Sequence, residues 1–460
     1  MKEEDSKINF PFNNLSNMNN LTTEKEKEDA QEEEKKEKRY NEWMNNCALL
    51  YNTILSKNTD WPSLSLQWLR SKEETYNEGE NVVSHNLIFG TQTSEQEQNK
   101  LKIMQVLLPN KDRNKADLKE LNSFQNSNLG ESELTRINKK ENEYYKYYKS
   151  LKKTVIVREF NHLGDVNKIR QHPLKREIVA TKSSDGNAYV FNIEKETDLS
   201  KESNHELILT GHTDEGYGLS WSNDGSNLVS GGYDNKICLY DSNFKITSNL
   251  KPEIHAITTF SHSQPVEDVC FSKQESYLFA SVSDDKSLIL WDTRGKSKVM
   301  EKKEAHSENI NSVDFNYKNS FSLITGSADK TTGLWDIRNL SRKLFNFDFH
   351  SSEVVSVKFS PNSDCLFSSS SSDGQILFWD ITLIGSPLST DDFEDGPPEL
   401  LFIHNGHRSR VNDFDWSSAS SSLASYSNLL CSTEESNNII QIYDIKEKNL
   451  PENESKVKIM

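Results

Sequence analysis

Six histidines, His162, His212, His262, His306, His350 and His407, stand 50, 50, 44, 44 and 57 residues apart. Asp185, Asp234, Asp285, Asp329 and Asp373 follow the first five, with serines and threonines between them. These residue types are the parts of a hydrolytic triad: a nucleophile, a base and an acid that orients the base. Here, however, the set recurs at matched positions. A one-site enzyme has no use for five copies, whereas a repeated structural network does. The serine run 368–372 reads as a strand leading into the Asp373-Gly374 turn. There is no phosphate-binding Walker loop, no H-E-x-x-H and no dinucleotide fingerprint. The sequence therefore predicts no enzyme, no metal site and no cofactor.

The elements that must position these residues follow from the repeat. Each of the five aspartates lies six residues before an aromatic: Phe191, Tyr240, Trp291, Trp335 or Trp379. The units close on AYVFNIE, ICLYDSN, LILWDTR, TGLWDIR, ILFWDIT and IQIYDIK. A repeat of roughly 40–45 residues with such signatures means a WD-repeat β-propeller with four strands per blade. The aspartate falls in a tight turn, bonds the histidine of its own unit, and a Ser or Thr and the Trp extend the network. Buried polar groups must be paired, so these residues occur as a set. The expected structural network includes His212 with Asp234, His306 with Asp329 and Trp335, and His350 with Asp373 and Trp379. The last unit has Asn437 at the aspartate position and Tyr443 for Trp, which predicts a weaker network there.

The fold class is all-β: a seven-bladed propeller over 59–446, with an N-terminal helix over 40–58. Six units begin at His162, and the strands before them make a seventh blade closed by KTVIVREF. Little regular sequence follows Tyr443, so a segment near the N-terminus is expected to complete the last blade and remove its open edge. Tyr40, Trp43, Cys47, Leu50, Tyr51, Ile54 and Leu55 give the helix one apolar stripe. It should stop before Trp61-Pro62. Residues 1–39 are too polar to offset their ordering entropy and read as a disordered tail. The basic run Lys35, Lys36, Lys38, Arg39 is a weak import signal or a solvated charge run. Residues 110–149 read as a polar surface insertion whose tyrosines either bind something or pack on the next strand. Residues 385–398 read as an inserted loop with a Pro-Pro corner, and 447–460 as a C-terminal tail.

Charge narrows the partners. Lys+Arg 54 against Asp+Glu 71 gives a net charge of −17. Such a chain is a poor match for a DNA backbone and a good one for basic proteins. No direct sequence-specific DNA binding is expected. No apolar run is long enough for a membrane span, and the start MKEEDSKINF has no apolar core like that of a secretory signal. Five scattered cysteines without a C-x-x-C pair fit a reducing compartment and buried, unbridged thiols.

Two surfaces are candidates for binding. Inner strands end on Trp221, Phe271, Phe315, Phe359 and Trp416. Four and six residues earlier lie Glu215, Tyr217, Glu267, Asn311, Glu353, Val355 and Asn412. Asp165 stands six before Gln171. Even offsets share a strand face, so these side chains should ring one channel mouth. Asp165, Glu215, Glu267 and Glu353 make it acidic: a solvated rim, or a seat for a basic peptide. The second surface is the loop DDFEDGPPELLFIH, which with the N-terminal helix could form a groove for an amphipathic helix.

The stretches WPSLSLQWL, FGTQTSEQEQNKL, EGYGLSW, TGSADKTTGLWDIRNL and EDGPPELLFIHNGH carry a family likeness. The chain resembles the histone-binding WD-repeat proteins, the retinoblastoma-binding type that also serves as the small subunit of the chromatin assembly factor. The likeness runs from Tyr40 to Asp444. It implies a nuclear histone chaperone, also cytoplasmic with newly made histones, in chromatin assembly, deacetylase, acetyltransferase, Polycomb or remodelling complexes. It implies that histone H4 is held by its first helix at Leu49, Leu50, Thr53, Asp392, Asp395, Leu401, Phe402 and Ile403. It implies that histone H3 or a similar basic peptide is taken at Asp165, Glu215, Tyr217, Glu267, Asn311 and Glu353. The chain departs from the family pattern at Leu49 and Val355, each in place of Phe, at Asp165 in place of Glu, and at Asn405 in place of Gly. Rival readings are an escort of a ribosomal protein in ribosome assembly, which also binds basic clients, and a ubiquitin-ligase adaptor.

Overall fold

The computed structural model describes residues 33–70, 82–109, 153–242, 252–387, 396–418, 428–446 and 450. Seven sheets, each with four consecutive antiparallel strands at its heart, form the blades. The first blade runs from Leu66–Leu69 to Thr154–Asn161, and the second begins at Val166–Gln171. The second blade carries a fifth strand, Glu253–His255, added parallel to Leu207–Thr210. Middle strands such as Ile178–Ser183 and Leu366–Ser371 are buried along their whole length, because blades pack on both faces. Alternating apolar residues fill the spaces between blades, and these contacts are the main source of stability.

The last blade is completed as expected from upstream sequence. Tyr51–Asn58 pairs antiparallel with Ile439–Ile445, outside Leu429–Glu434 and Val411–Trp416. This corrects the helix bounds. The helix spans 33–50, not 40–58, and its last expected turns are a strand. Thr53 and Ile54 are β-branched and suit a strand, and the exposed edge of Ile439–Ile445 offered them backbone partners. The tail reading also fails for 33–39. An i,i+4 contact between Lys38 and Glu42 at 3.9 Å supports the helix only weakly. Long-range contacts hold this turn better: Arg39 donates to the Asp373 carbonyl, and Glu37 meets Arg408 at 3.5 Å. The expected C-terminal tail likewise places Leu450, 1% exposed, in the core beside Trp43 and Ile445. The expected 110–149 insertion lies outside the described residues.

The repeated network forms in full in three blades. His262 meets Asp285 at 3.1 Å and Ser281 at 2.6 Å, and Trp291 donates to that Ser281 hydroxyl at 2.7 Å. His306, Asp329, Thr325 and Trp335 repeat the pattern, as do His350, Asp373, Ser369 and Trp379. His212 joins Asp234 and Ser230 at 2.9 and 2.7 Å, with Tyr240 in the Trp position. Two units depart. His162 bonds Thr181 and the Gly164 carbonyl, while Asp185 takes the hydroxyl of Tyr189 instead. In the last unit Glu434, not Asn437, faces His407, at 3.4 Å.

The inner strands present one edge to the channel, and each edge is capped from the preceding blade. Val313 and Phe359 N–H groups donate to Asp268 and Asp314. Leu66 and Trp68 donate to Asp413 and Asp415, Gln171 to Gln67, and Phe271 to Ser220. Buried N–H groups are costly to leave unpaired, so these side chains weld neighbouring blades around the channel.

Candidate functional site

The first surface is the mouth of the channel where the inner strands begin. In four blades the residue four before the terminal aromatic, or its counterpart, sits at a bulge: Glu267, Asn311, Val355 and Asn412. Asn167 does the same in the second blade and was missed from sequence. A bulge turns its residue out of the ladder, here toward the mouth. In the third blade Tyr217 holds this place between two glycines. A Cβ at Gly216 would come within 2.3 Å of the Gly231 carbonyl, and one at Gly218 within 3.0 Å of its nitrogen. The EGYG motif thus lets two strands approach closely and presents Tyr217.

A second ring precedes it by two residues. The carbonyls of Asp165, Glu215, Asn309, Glu353 and Arg410 accept backbone bonds from Ser184, Tyr233, Ala328, Ser372 and Glu435, respectively. Arg410 at this place was not foreseen, because the 57-residue spacing of the last unit hides its register. Its guanidinium pairs with Glu353, which also accepts from Ser372 at 2.8 Å. Asp165 is engaged as well: one oxygen accepts from Thr93 N, Ser94 N and Asn99 Nδ2 at 2.8–3.1 Å. Glu215 accepts from Asn167 at 3.1 Å, and Asn311 donates to the Val354 carbonyl at 2.8 Å.

The electrostatics of the mouth favour a cation. Burial, and then the carboxylate of Asp284, push Glu267 up to about 8 from its usual 4.5. Tyr233 reaches the same carboxyl at 3.4 Å and packs against Tyr217, with ring centroids 5.8 Å apart. Burial and the charges of Glu215 and Glu267 push Tyr217 up to about 12. Beside these lies a cleft of about 940 Å³. Glu95, Glu97, Glu202 and Asp214 join Asp165 and Glu215 along it, and among the described residues no lysine or arginine lines it.

The second surface is the side of the sixth and seventh blades. Trp43, 5% exposed, is the helix's anchor, and Tyr40, Cys47 and Leu50 pack beside it. A hydrogen-bond chain fastens it. Trp43 Nε1 donates to the Tyr51 hydroxyl at 2.8 Å, which meets His404 Nδ1 at 2.7 Å. His404 Nε2 meets Gln441 at 2.9 Å, and Gln441 donates to the Gly406 carbonyl at 2.6 Å. Burial pushes His404 well down, so the ring is neutral and one nitrogen accepts while the other donates. His404 also stacks on Tyr443 at 4.0 Å. Sequence reading missed His404 and Gln441, whose roles depend on three distant segments.

The structure divides the expected groove residues. Leu50 and Leu401 border the same cluster. Leu49 is 63% exposed, and Thr53 is half-buried on the closing strand. Phe402, 7% exposed, lies beneath as core, against Tyr51 and Phe378. Ile403 borders a different cluster, with Phe347 and Trp379. The reason is the strand Leu400–His404, whose alternate residues face opposite ways. Asp392 and Asp395 lie outside the described residues.

Tight inter-blade packing and repeated tetrads define a WD-repeat propeller whose histidines and aspartates are committed to structure. Residues 203–241, 255–292, 297–336 and 341–380 match the WD domain, G-beta repeat. Residues 38–110, from the docked helix through the first blade, match the family described as histone-binding protein RBBP4 or the corresponding subunit of the CAF1 complex. The chain belongs to this histone-binding WD-repeat family and is a histone-binding scaffold.

Proposed function

We propose that this chain is a histone chaperone subunit with two separate seats. One takes the first helix of histone H4 along the N-terminal helix and the Pro-Pro loop. The other takes the N-terminus of histone H3, or a similar basic peptide, at the acidic mouth. The observation that carries the first seat is the docked helix. Trp43 spends one face of it on the propeller, while Leu49 and Met44 stay 63% and 50% exposed beside half-buried Leu50 and Leu401. Such a ledge suits the apolar side of an amphipathic helix. Asp392 and Asp395 supply carboxylates for a basic residue, and Arg is favoured because it can bond in bidentate fashion. Phe402 supports the ledge from below. At the mouth, Glu215, Glu267 and Tyr217 are the inner contacts, and Asp165 acts mainly through its charge.

The setting that fits this chemistry is the nucleus, within chromatin assembly, deacetylase, acetyltransferase, Polycomb or remodelling complexes. Calorimetric titration of an H4 first-helix peptide tests the first seat. Leu49→Arg should weaken binding by about tenfold or more, since it puts a charge on the apolar ledge. Equal affinity in the variant would remove the ledge from the site.

A further inference from the structure

The opposite end of the channel has the reverse character. A cavity of about 350 Å³ lies there, among the ends of the inner strands. Five cationic side chains line it: Arg70, Lys168, Arg170, Lys273 and Lys358. In a chain of net charge −17 this is a local concentration of the minority charge. The carboxylates nearby are already occupied. Asp268 accepts from the backbone of Val269 and Val313 and from Ser312. Asp314 accepts from Phe359 and pairs with Lys273 at 3.0 Å. Asp413 accepts from Ser65 and Leu66 and pairs with Lys358 at 2.9 Å, and Asp415 accepts from Trp68. They are the caps that join the blades.

Lys168 and Arg170 are left over. They lie two residues apart on Val166–Gln171, so both face the channel. Among the described residues neither makes an ion pair. Arg170 donates only to the neighbouring Ile169 carbonyl, at 2.8 Å. Asp413 and Asp268 act on both from a distance, and burial still pulls Lys168 below its ordinary value. A desolvated ammonium beside a guanidinium, with their counter-charges engaged elsewhere, is stabilised by an entering anion.

We propose that this cavity binds a free phosphate-class anion, held by Lys168 and Arg170 with Lys358 at its side and Arg70 and Lys273 toward the opening. Arg supplies a planar fork and Lys a compact point charge, the pairing that suits phosphate oxygens. The volume admits a pyrophosphate-sized ion and excludes a folded partner. The site shares no residue with either histone seat, so its fate is separate from theirs.

The test is titration of the full chain with inorganic phosphate and with pyrophosphate, at ionic strength held constant with sodium chloride. Saturable binding of one pyrophosphate per chain is expected, weakened about tenfold or more in Lys168→Gln and in Arg170→Gln. Thermal melts in chloride alone verify that each variant folds, and the single Lys168→Met variant serves if Arg170→Gln does not. No saturable binding, or equal affinity in wild type and Lys168 variants, overturns the proposal. A phosphoserine peptide run in parallel separates the two sources of phosphate. Tighter binding of that peptide than of pyrophosphate would overturn assignment to a free anion.

Discussion

Truncating Trp43 to alanine should release the N-terminal helix while leaving the propeller folded. Trp43 is 5% exposed and is the one helix residue buried to that degree among those described. Large-to-small changes of a buried Trp cost about 3–5 kcal/mol. The lost indole donor adds roughly 1 kcal/mol, because the Tyr51 hydroxyl keeps its bond to His404 and is not orphaned. Against this, the helix of 33–50 has only partly buried Tyr40, Cys47 and Leu50 to hold it. An isolated helix of about this length is marginal in water. The loss therefore exceeds what the remaining contacts supply, and the segment should undock. The strand Tyr51–Asn58 should stay, since seven registered residues tie it to Ile439–Ile445. Hydrogen exchange resolved by segment is the assay. Protection of 33–50 should collapse, protection of 51–58 should persist, and the H4-helix peptide should lose affinity. Retained protection over 33–50 would refute the claim that Trp43 anchors the helix.

Trp335→Ala should lower the urea midpoint of the whole propeller, at about 3–5 kcal/mol, because Trp335 is 1% exposed and bonded to Thr325; an unchanged midpoint would contradict the tetrad. Basic-peptide binding at the mouth should tighten as pH rises from about 6 to about 8, since a cation there lets Glu267, held near 8, give up its proton; Glu267→Gln should flatten that profile. The same shift has the opposite sign for stability: Glu267's contribution is complete below 4.5 and is lost as pH rises through about 8, so melts of wild type against Glu267→Gln should diverge over that range. Glu215→Gln combined with Glu353→Gln should weaken H3-peptide binding and reduce its salt dependence, more than two charges alone suggest, because Arg410 loses its partner; equal affinity would make the mouth a solvated rim.

The repeat was legible because each blade carries its own copy of the same local constraints. A turn aspartate, a histidine and an aromatic at constant spacing can be read without knowing any contact. The mouth was legible for the same reason, since offsets from Trp221 or Phe271 are preserved blade by blade. What escaped depends on distant pairing. Tyr51, Ile54 and Leu55 extend a helical stripe as readily as they fit a strand. Only the free edge of Ile439–Ile445, nearly 400 residues away, decides between them. The helix start at 33 is set by Asp373 and Arg408, not by its own charged residues. Phe402 and Ile403 read as one apolar patch, yet alternation sends one to the core beneath the helix and the other toward the neighbouring blade. Arg410 was hidden by the inserted loop that shifts the last unit.

The central claim is that one chain offers two independent histone seats. Titrating an H4 first-helix peptide and an H3 N-terminal peptide into the double variant Asp392→Asn, Asp395→Asn tests it most directly. A buried pairing of carboxylate with Arg, once broken, costs on the order of 2–5 kcal/mol, so H4-peptide affinity should fall by more than tenfold. H3-peptide affinity should stay at the wild-type value, because none of the mouth residues is changed. Undiminished H4 binding, or loss of both peptides together, would contradict the two-seat account.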